Sequence, residues 1–341
     1  MTISKWRDMG LAFIAAVAGY AVFSASGFPA AALTGSATGV TFAALLGVQV
    51  ELPVWLRNSC ILVLGINIGT AVTPGALGAA FASPLSLGIM AICILLSMVL
   101  SALVLERVFG FDRLTSVMGG SPGHLSFVLS VAAENGKDVP AIAIIQSVRV
   151  LVLTLAVPPL ISVFFGATGV QVLPESIIKA SHLAVLILAA VPIALLFSRL
   201  KFPAVWLLSG MAVSAVGHGV ELSPGRLPDA LGIAALILLG TLIGSRFSAV
   251  KPRAVLSYLL PGLFVTLIAV VVSLLGAFAS VWMLGLSAGL VTVAFAPGGV
   301  EAMAAIAFSL GYDPTFVAAH HVFRLLVLSV VMPTVCMRMK S

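Results

Sequence analysis

The sequence predicts an all-α integral membrane protein made of two copies of one helical unit. Three observations carry that reading: an apolar composition, apolar runs of membrane-crossing length, and a set of polar and helix-breaking residues that recurs at a fixed offset. Of 341 residues, 61% are hydrophobic and 8% charged, with a mean hydropathy of +1.23. Soluble domains carry about 25% charged residues. A soluble fold of this length has too little interior to hide so much apolar surface, so lipid is the solvent.

Apolar runs of about 20 residues, enough to cross a hydrocarbon layer of roughly 30 Å, recur from Met9 to Met337 with short polar breaks between them. The N-terminal run, Lys5-Trp6-Arg7 followed by Met9 to Phe23, has the look of a secretory leader. Its counterpart in the second copy, His182 to Phe197, sits mid-chain and can only be a mature helix, so the first run is expected to remain as well.

The copies are related by a constant shift. Pro122-Gly123 recurs as Pro297-Gly298 (297 − 122 = 175), and Asp138, Arg149 and Pro158 recur as Asp313, Arg324 and Pro333 without a gap. Upstream, Leu52-Pro53 matches Leu227-Pro228, and the Gly65, Gly69 pair matches Gly240, Gly244. The whole chain, 1–341, therefore reads as a single membrane domain, with repeat one at 8–166 and repeat two at 180–340.

Each repeat contains six apolar segments, in the first copy near 9–25, 29–48, 53–73, 84–107, 113–134 and 139–165. The fifth is interrupted by Ser121-Pro122-Gly123, and its partner by Ala296-Pro297-Gly298. Proline removes a backbone donor and glycine relaxes the chain, so a helix breaks at such a pair. Lys and Arg concentrate on the cytoplasmic side of membrane proteins. Lys5 and Arg7 put the N-terminus inside, and Arg57, Arg107 and Arg113 mark the loops after segments two and four of the first copy. In the second copy Arg199 and Lys201, then Arg246, Lys251 and Arg253, mark the loops after segments one and three, with Arg226 the exception. The copies are thus expected to be inverted, with five to six membrane segments each and both termini cytoplasmic. Inversion needs an odd number of crossings, so either the broken fifth segment is re-entrant or another segment is peripheral.

Irregular backbone at membrane depth survives where protein or a water-filled cavity surrounds it, and paired broken helices in inverted repeats point to a transporter binding site. Half-helices starting near Gly123, Gly298 and Gly299 would present free N–H groups and a partial positive charge to an anion. Arg149 and Arg324 lie ten residues into the sixth segments, about 15 Å along a helix. A charge at that depth is costly and marks a function by default. Gln146 and His321, three residues earlier, share a helix face with their arginines. A guanidinium with a neutral donor beside it suits a carboxylate. The competing reading is a structural clamp, in which each arginine caps carbonyls freed by the break.

Symmetry fails at two places. Glu301 answers to Ser126, and His124 answers to Gly299. A lone carboxylate and a lone imidazole in an otherwise paired site are candidates for ion coupling, although Glu301 could equally be a salt-bridge partner of Arg149 or Arg324. Asp138 and Asp313 each immediately precede a helix with proline in its first turn, which is an N-cap pattern. Cys60, Cys93 and Cys336 lie far apart in apolar runs, without a disulfide or metal spacing.

The run Ala296-Pro-Gly-Gly-Val-Glu-Ala-Met, followed by Gly311-Tyr-Asp-Pro and Arg324, resembles the AbrB-type membrane protein family, which carries this duplicated module over nearly the whole chain. The first copy departs from it with Pro-Gly-His. Members of that family are often labelled ammonia monooxygenase or regulator of gene expression. Their fold is similar to that of cation/proton antiporters and anion transporters with crossed broken helices. The resemblance and the residues together imply a secondary transporter of a small anionic solute, proton- or sodium-coupled, in the cell (inner) membrane. The alternative is a membrane sensor that influences gene expression through a partner. A monooxygenase would need clustered metal ligands, and the five histidines supply no such set, so neither an enzyme nor a metal or cofactor is expected. The expected partners are the lipid bilayer and a small-molecule anion, with no nucleic acid and with homodimer assembly left open.

Overall fold

The structure, a computed structural model, describes residues 3–71, 84–123, 125–166, 176–219, 222–248 and 250–338. Fourteen α-helices and no strand occur among the described residues. The first seven are α1 (Ile3–Ala25), α2 (Ala31–Leu45), α3 (Val54–Gly69), α4 (Pro84–Arg107), α5 (Arg113–Gly120), α6 (Leu125–Glu134) and α7 (Val139–Phe164). The second seven are α8 (Ala180–Arg199), α9 (Val205–Gly219), α10 (Asp229–Gly244), α11 (Pro252–Leu284), α12 (Ala288–Phe295), α13 (Val300–Ser309) and α14 (Pro314–Arg338). Helices α3, α5 and α6 coincide end for end with α10, α12 and α13 when 175 is added to their residue numbers.

Seven helices are long and apolar enough to cross a membrane: α1, α4, α7, α8, α10 with the 3-10 turn that follows it, α11 and α14. The chain is a multi-pass membrane protein. Helices α2 and α3, with 15 and 16 residues, fall short of the 20 or so that a full crossing takes. The sequence's second and third segments are thus shorter than their apolar runs suggested: α2 ends at Leu46-Gly47, and α3, which starts after Pro53 as expected, ends at Gly69.

Burial sorts the long helices into layers. In α1 and α8 only 17% of the apolar window is buried, against 61% in α7. The pair therefore lies at the periphery of the bundle, while α7 runs through the interior. Close backbone approach organises the rest. Helix α2 lies against α10, and α9 against α3. A Cβ on Gly240 would meet Leu33 O at 2.6 Å, and one on Gly210 would meet Leu62 O at 2.5 Å. These small residues let helix backbones touch, as is usual where lipid supplies no hydrophobic drive between helices. Cys60 Sγ donates to Ala235 O at 3.2 Å, its own counterpart position on α10. The three cysteines are free.

Asp138 caps α7 through Ala141 N at 2.9 Å, and Asp313 accepts from Thr315 N at 2.8 Å. Both aspartates start the helices that carry the deep arginines, as the sequence pattern indicated. Asp138 also accepts from Tyr258 Oη of α11 at 2.7 Å, tying that cap to a neighbouring helix.

Candidate functional site at the paired helix breaks

Both fifth segments break where proline and glycine fall. Helices α5 and α6 have 8 and 10 residues, as do α12 and α13, or about 12 and 15 Å. No half crosses alone. At each break a three-residue turn centred on proline closes the backbone: Gly123 N donates to Ser121 O at 3.0 Å, and Gly298 N to Ala296 O at 2.8 Å. Gly123 has φ +143°, a conformation open to glycine and strained for other residues.

A break leaves carbonyls without partners at the end of the first half-helix. Those carbonyls decide where the deep side chains go. Gln146 Nε2 donates to Met118 O at 2.9 Å and Arg149 Nη1 to Ser121 O at 3.0 Å. In the second copy His321 Nε2 points at Val293 O at 3.4 Å, Arg324 Nη1 donates to Ala296 O at 3.1 Å, and Arg324 Nη2 donates to Gly298 O. The matching acceptors again differ by 175. Because a carbonyl only accepts, the His321 proton sits on Nε2 in this contact. Both arginines are nearly sealed, with 2% and 3% of their surface exposed, and the two charges are close enough to interact.

These contacts give the arginines a definite job. A helix C-terminus carries a partial negative charge, and each guanidinium sits against the C-terminal carbonyls of α5 or α12. The clamp reading accounts for every hydrogen bond the two arginines make among the described residues. Among the described residues Arg149 Nε, Arg324 Nε and His321 Nδ1 are buried without a hydrogen-bond partner, and Arg149 uses only Nη1 of its guanidinium. By contrast, the N-terminal end of α13 is uncapped by any side chain: Gly299 is extended at φ −75°, ψ 147° and half-buried. Gly123, at the other break, is half-buried too, while Gly298 is buried.

Glu301 lies in the first turn of α13 and is half-buried. Among the described residues it forms no ion pair, so the alternative of a salt bridge to Arg149 or Arg324 is not realised. His124 lies outside the described residues. His320, adjacent to His321, is fully buried and fully used: Nδ1 donates to Phe316 O at 2.9 Å and Nε2 faces Ser86 Oγ at 2.9 Å. It packs between Phe295 and Phe316 as a structural group. No three His, Cys, Asp or Glu side chains among the described residues converge as metal ligands would.

One charged residue near the site was placed by the sequence among loop cations. Arg246 follows α10 in the 3-10 turn Ser245–Phe247, and its charge interacts with those of Glu301 and Arg149. The available signal was asymmetry, since its counterpart 175 residues earlier is Ala71.

Residues 32–340 match the family described as transition state regulatory protein AbrB. The chain belongs to the AbrB family. A relative, the uncharacterized protein YhjN of Bacillus subtilis (strain 168), is 30% identical over 291 residues, covering 80% of this chain and 75% of YhjN. The AbrB match takes in both breaks, both deep arginines and Glu301.

Proposed function

We propose that this AbrB-family protein is a secondary transporter of a small anionic solute in the cell (inner) membrane, with repeats 8–166 and 180–340 inverted and both termini cytoplasmic. The observation that carries the reading is the division of labour at the breaks. Arg149 and Arg324 neutralise the C-terminal ends of α5 and α12, which leaves the positive N-terminal ends of α6 and α13 to face a ligand. Gly123, Gly298 and Gly299 keep that backbone bare, and Gln146 and His321 hold the half-helices in place beside it. Two deep guanidiniums against the single carboxylate of Glu301 favour an anion over a cation. Glu301 and His124, which break the symmetry, are the candidates for carrying a coupling proton or sodium ion. The role is carriage rather than chemistry, because the polar groups at the breaks are spent on backbone carbonyls instead of forming a nucleophile and base.

The test is uptake of labelled organic anions into proteoliposomes, with and without an imposed proton or sodium gradient. Accumulation above protein-free liposomes supports the reading, and no uptake of any anion under either gradient overturns it. The family description favours a second reading, a membrane sensor acting on gene expression. A changed transcript pattern on deletion of the chain, with no anion moved by the purified protein, would select it.

A further inference from the structure

Arg149 and Arg324 are nearly sealed and each holds at least one carbonyl, so neither presents an open guanidinium fork. Arg246 supplies one. The turn that carries it is held by Phe247, which is buried in a cluster with Ile144 and Val148 of α7. Val148 directly precedes Arg149, and the charges of Arg149 and Arg246 interact. Helix α13 in turn packs on α10 and on α3, and Glu301 in its first turn interacts by charge with Arg246.

Three properties set Arg246 apart from the other deep cations. It makes no hydrogen bond or ion pair among the described residues. It is exposed, whereas Gly244, Phe247 and Ser248 nearby are buried. It has no counterpart in the first repeat, where Ala71 stands. Arg246 is thus an exposed guanidinium beside buried Phe247, and its charge interacts with that of half-buried Glu301. A planar fork of five N–H donors with none in use is built for a carboxylate or another oxyanion. Glu301, whose charge interacts with that of Arg246, forms no ion pair with it among the described residues.

We propose that Arg246 is the side chain that grips the anion, between the end of α10 and the N-terminus of α13, where it binds a carboxylate-bearing solute in bidentate fashion. Arg149 and Arg324 act behind it as fixed charges that hold the half-helices. The binding claim deepens the transporter reading but stands apart from turnover.

Equilibrium binding of labelled lactate and succinate to the purified full-length protein in detergent tests it, with Arg246→Gln and Arg246→Lys beside the wild type. Loss of a charge-assisted pair weakens binding by at least about tenfold in Arg246→Gln, with partial retention in Arg246→Lys. Because Arg246 holds nothing in the fold, both variants should melt at the wild-type temperature without ligand, which separates lost binding from lost folding. Equal binding by Arg246→Gln and wild type, or no binding of either anion by the wild type, overturns the proposal. Proteoliposome uptake of the same anions separates the two ideas. Binding that depends on Arg246 without flux removes the carrier and keeps the site, whereas flux unchanged in Arg246→Gln removes the site and keeps the carrier.

Discussion

Replacing Arg324 with methionine should destabilise the protein more than replacing Arg149, although the two residues occupy equivalent positions. Arg324 holds two carbonyls, those of Ala296 and Gly298, and Arg149 holds one, that of Ser121. A hydrogen bond to a charged group is worth about 1.5–3 kcal/mol net. Methionine also returns the cost of keeping a guanidinium at membrane depth, about 2.5–3.5 kcal/mol on insertion scales. That relief is common to both sites, since their exposures differ by one percentage point, and it cancels in the comparison. What remains is one carbonyl. Polar contacts inside membrane proteins are weaker than in water-soluble ones, about 0.6 kcal/mol on average and about 1.7 at most. Arg324→Met should therefore lie about 0.6–1.7 kcal/mol below Arg149→Met in unfolding free energy. Unfolding of both variants by SDS titration from mixed micelles measures the difference, and lysine variants give a control, because a single ammonium matches the one carbonyl at 149 better than the pair at 324. A ranking in which Arg149→Met is equally or more destabilised would refute the assignment of these arginines to the broken ends.

Other substitutions probe the packing and the breaks. Gly240→Ala should be destabilising by about 1–3 kcal/mol, because the added Cβ meets the backbone of α2 at Leu33 O (2.6 Å) and Ala37 N (2.8 Å), while Gly88→Ala in α4, with nothing within 4 Å, should be neutral or stabilising by up to about 1 kcal/mol; melting temperatures in detergent compare them. Gly123→Ala should lower the melting temperature and Gly299→Ala should not, since the former forces φ +143° and a 2.9 Å contact with Leu325 Cδ2, and the latter meets only Glu301 Oε2 at 3.8 Å. At the surface, burial pushes the Asp112 carboxyl up, but hydrogen bonds from Lys137 and Thr115 outweigh it and hold the group below the usual carboxylate range. Its contribution is present above the unfolded carboxylate pKa and is lost as pH falls through the lowered folded one. Stability against pH for wild type and Asp112→Asn should accordingly converge in acid and separate slightly toward neutrality, the gap being small because the pair is solvent-screened.

Much of the candidate site was legible in the chain. Proline and glycine act on their own backbone, so Pro122-Gly123 and Pro297-Gly298 marked both breaks to the residue. Asp138 and Asp313 act within one helical turn, and both cap as their position before a helix indicated. The partners of the arginines were left open, since a buried guanidinium suits a carbonyl as well as an anion. Contacts 28 residues apart, such as Arg149 with Ser121, depend on how α7 lies against α5. Arg246 does stand in the connection after α10, but its neighbourhood was hidden for the same reason, because charge patterning says where a residue stands in the chain and nothing about which helix its turn is docked on.

The sequence by itself determined that this chain lives in lipid, that its motifs recur 175 residues apart, and where its helices break and begin. Those properties follow from solvation, covalent geometry and hydrogen bonds that span a few residues. Only the tertiary structure decided that α2 and α3 stop short of a crossing, that the deep arginines are spent on carbonyls, and that Arg246 and Glu301 share a neighbourhood. The last two turn on how distant helices pack against one another, where the energy depends on shape across the bundle rather than on any local run of the chain.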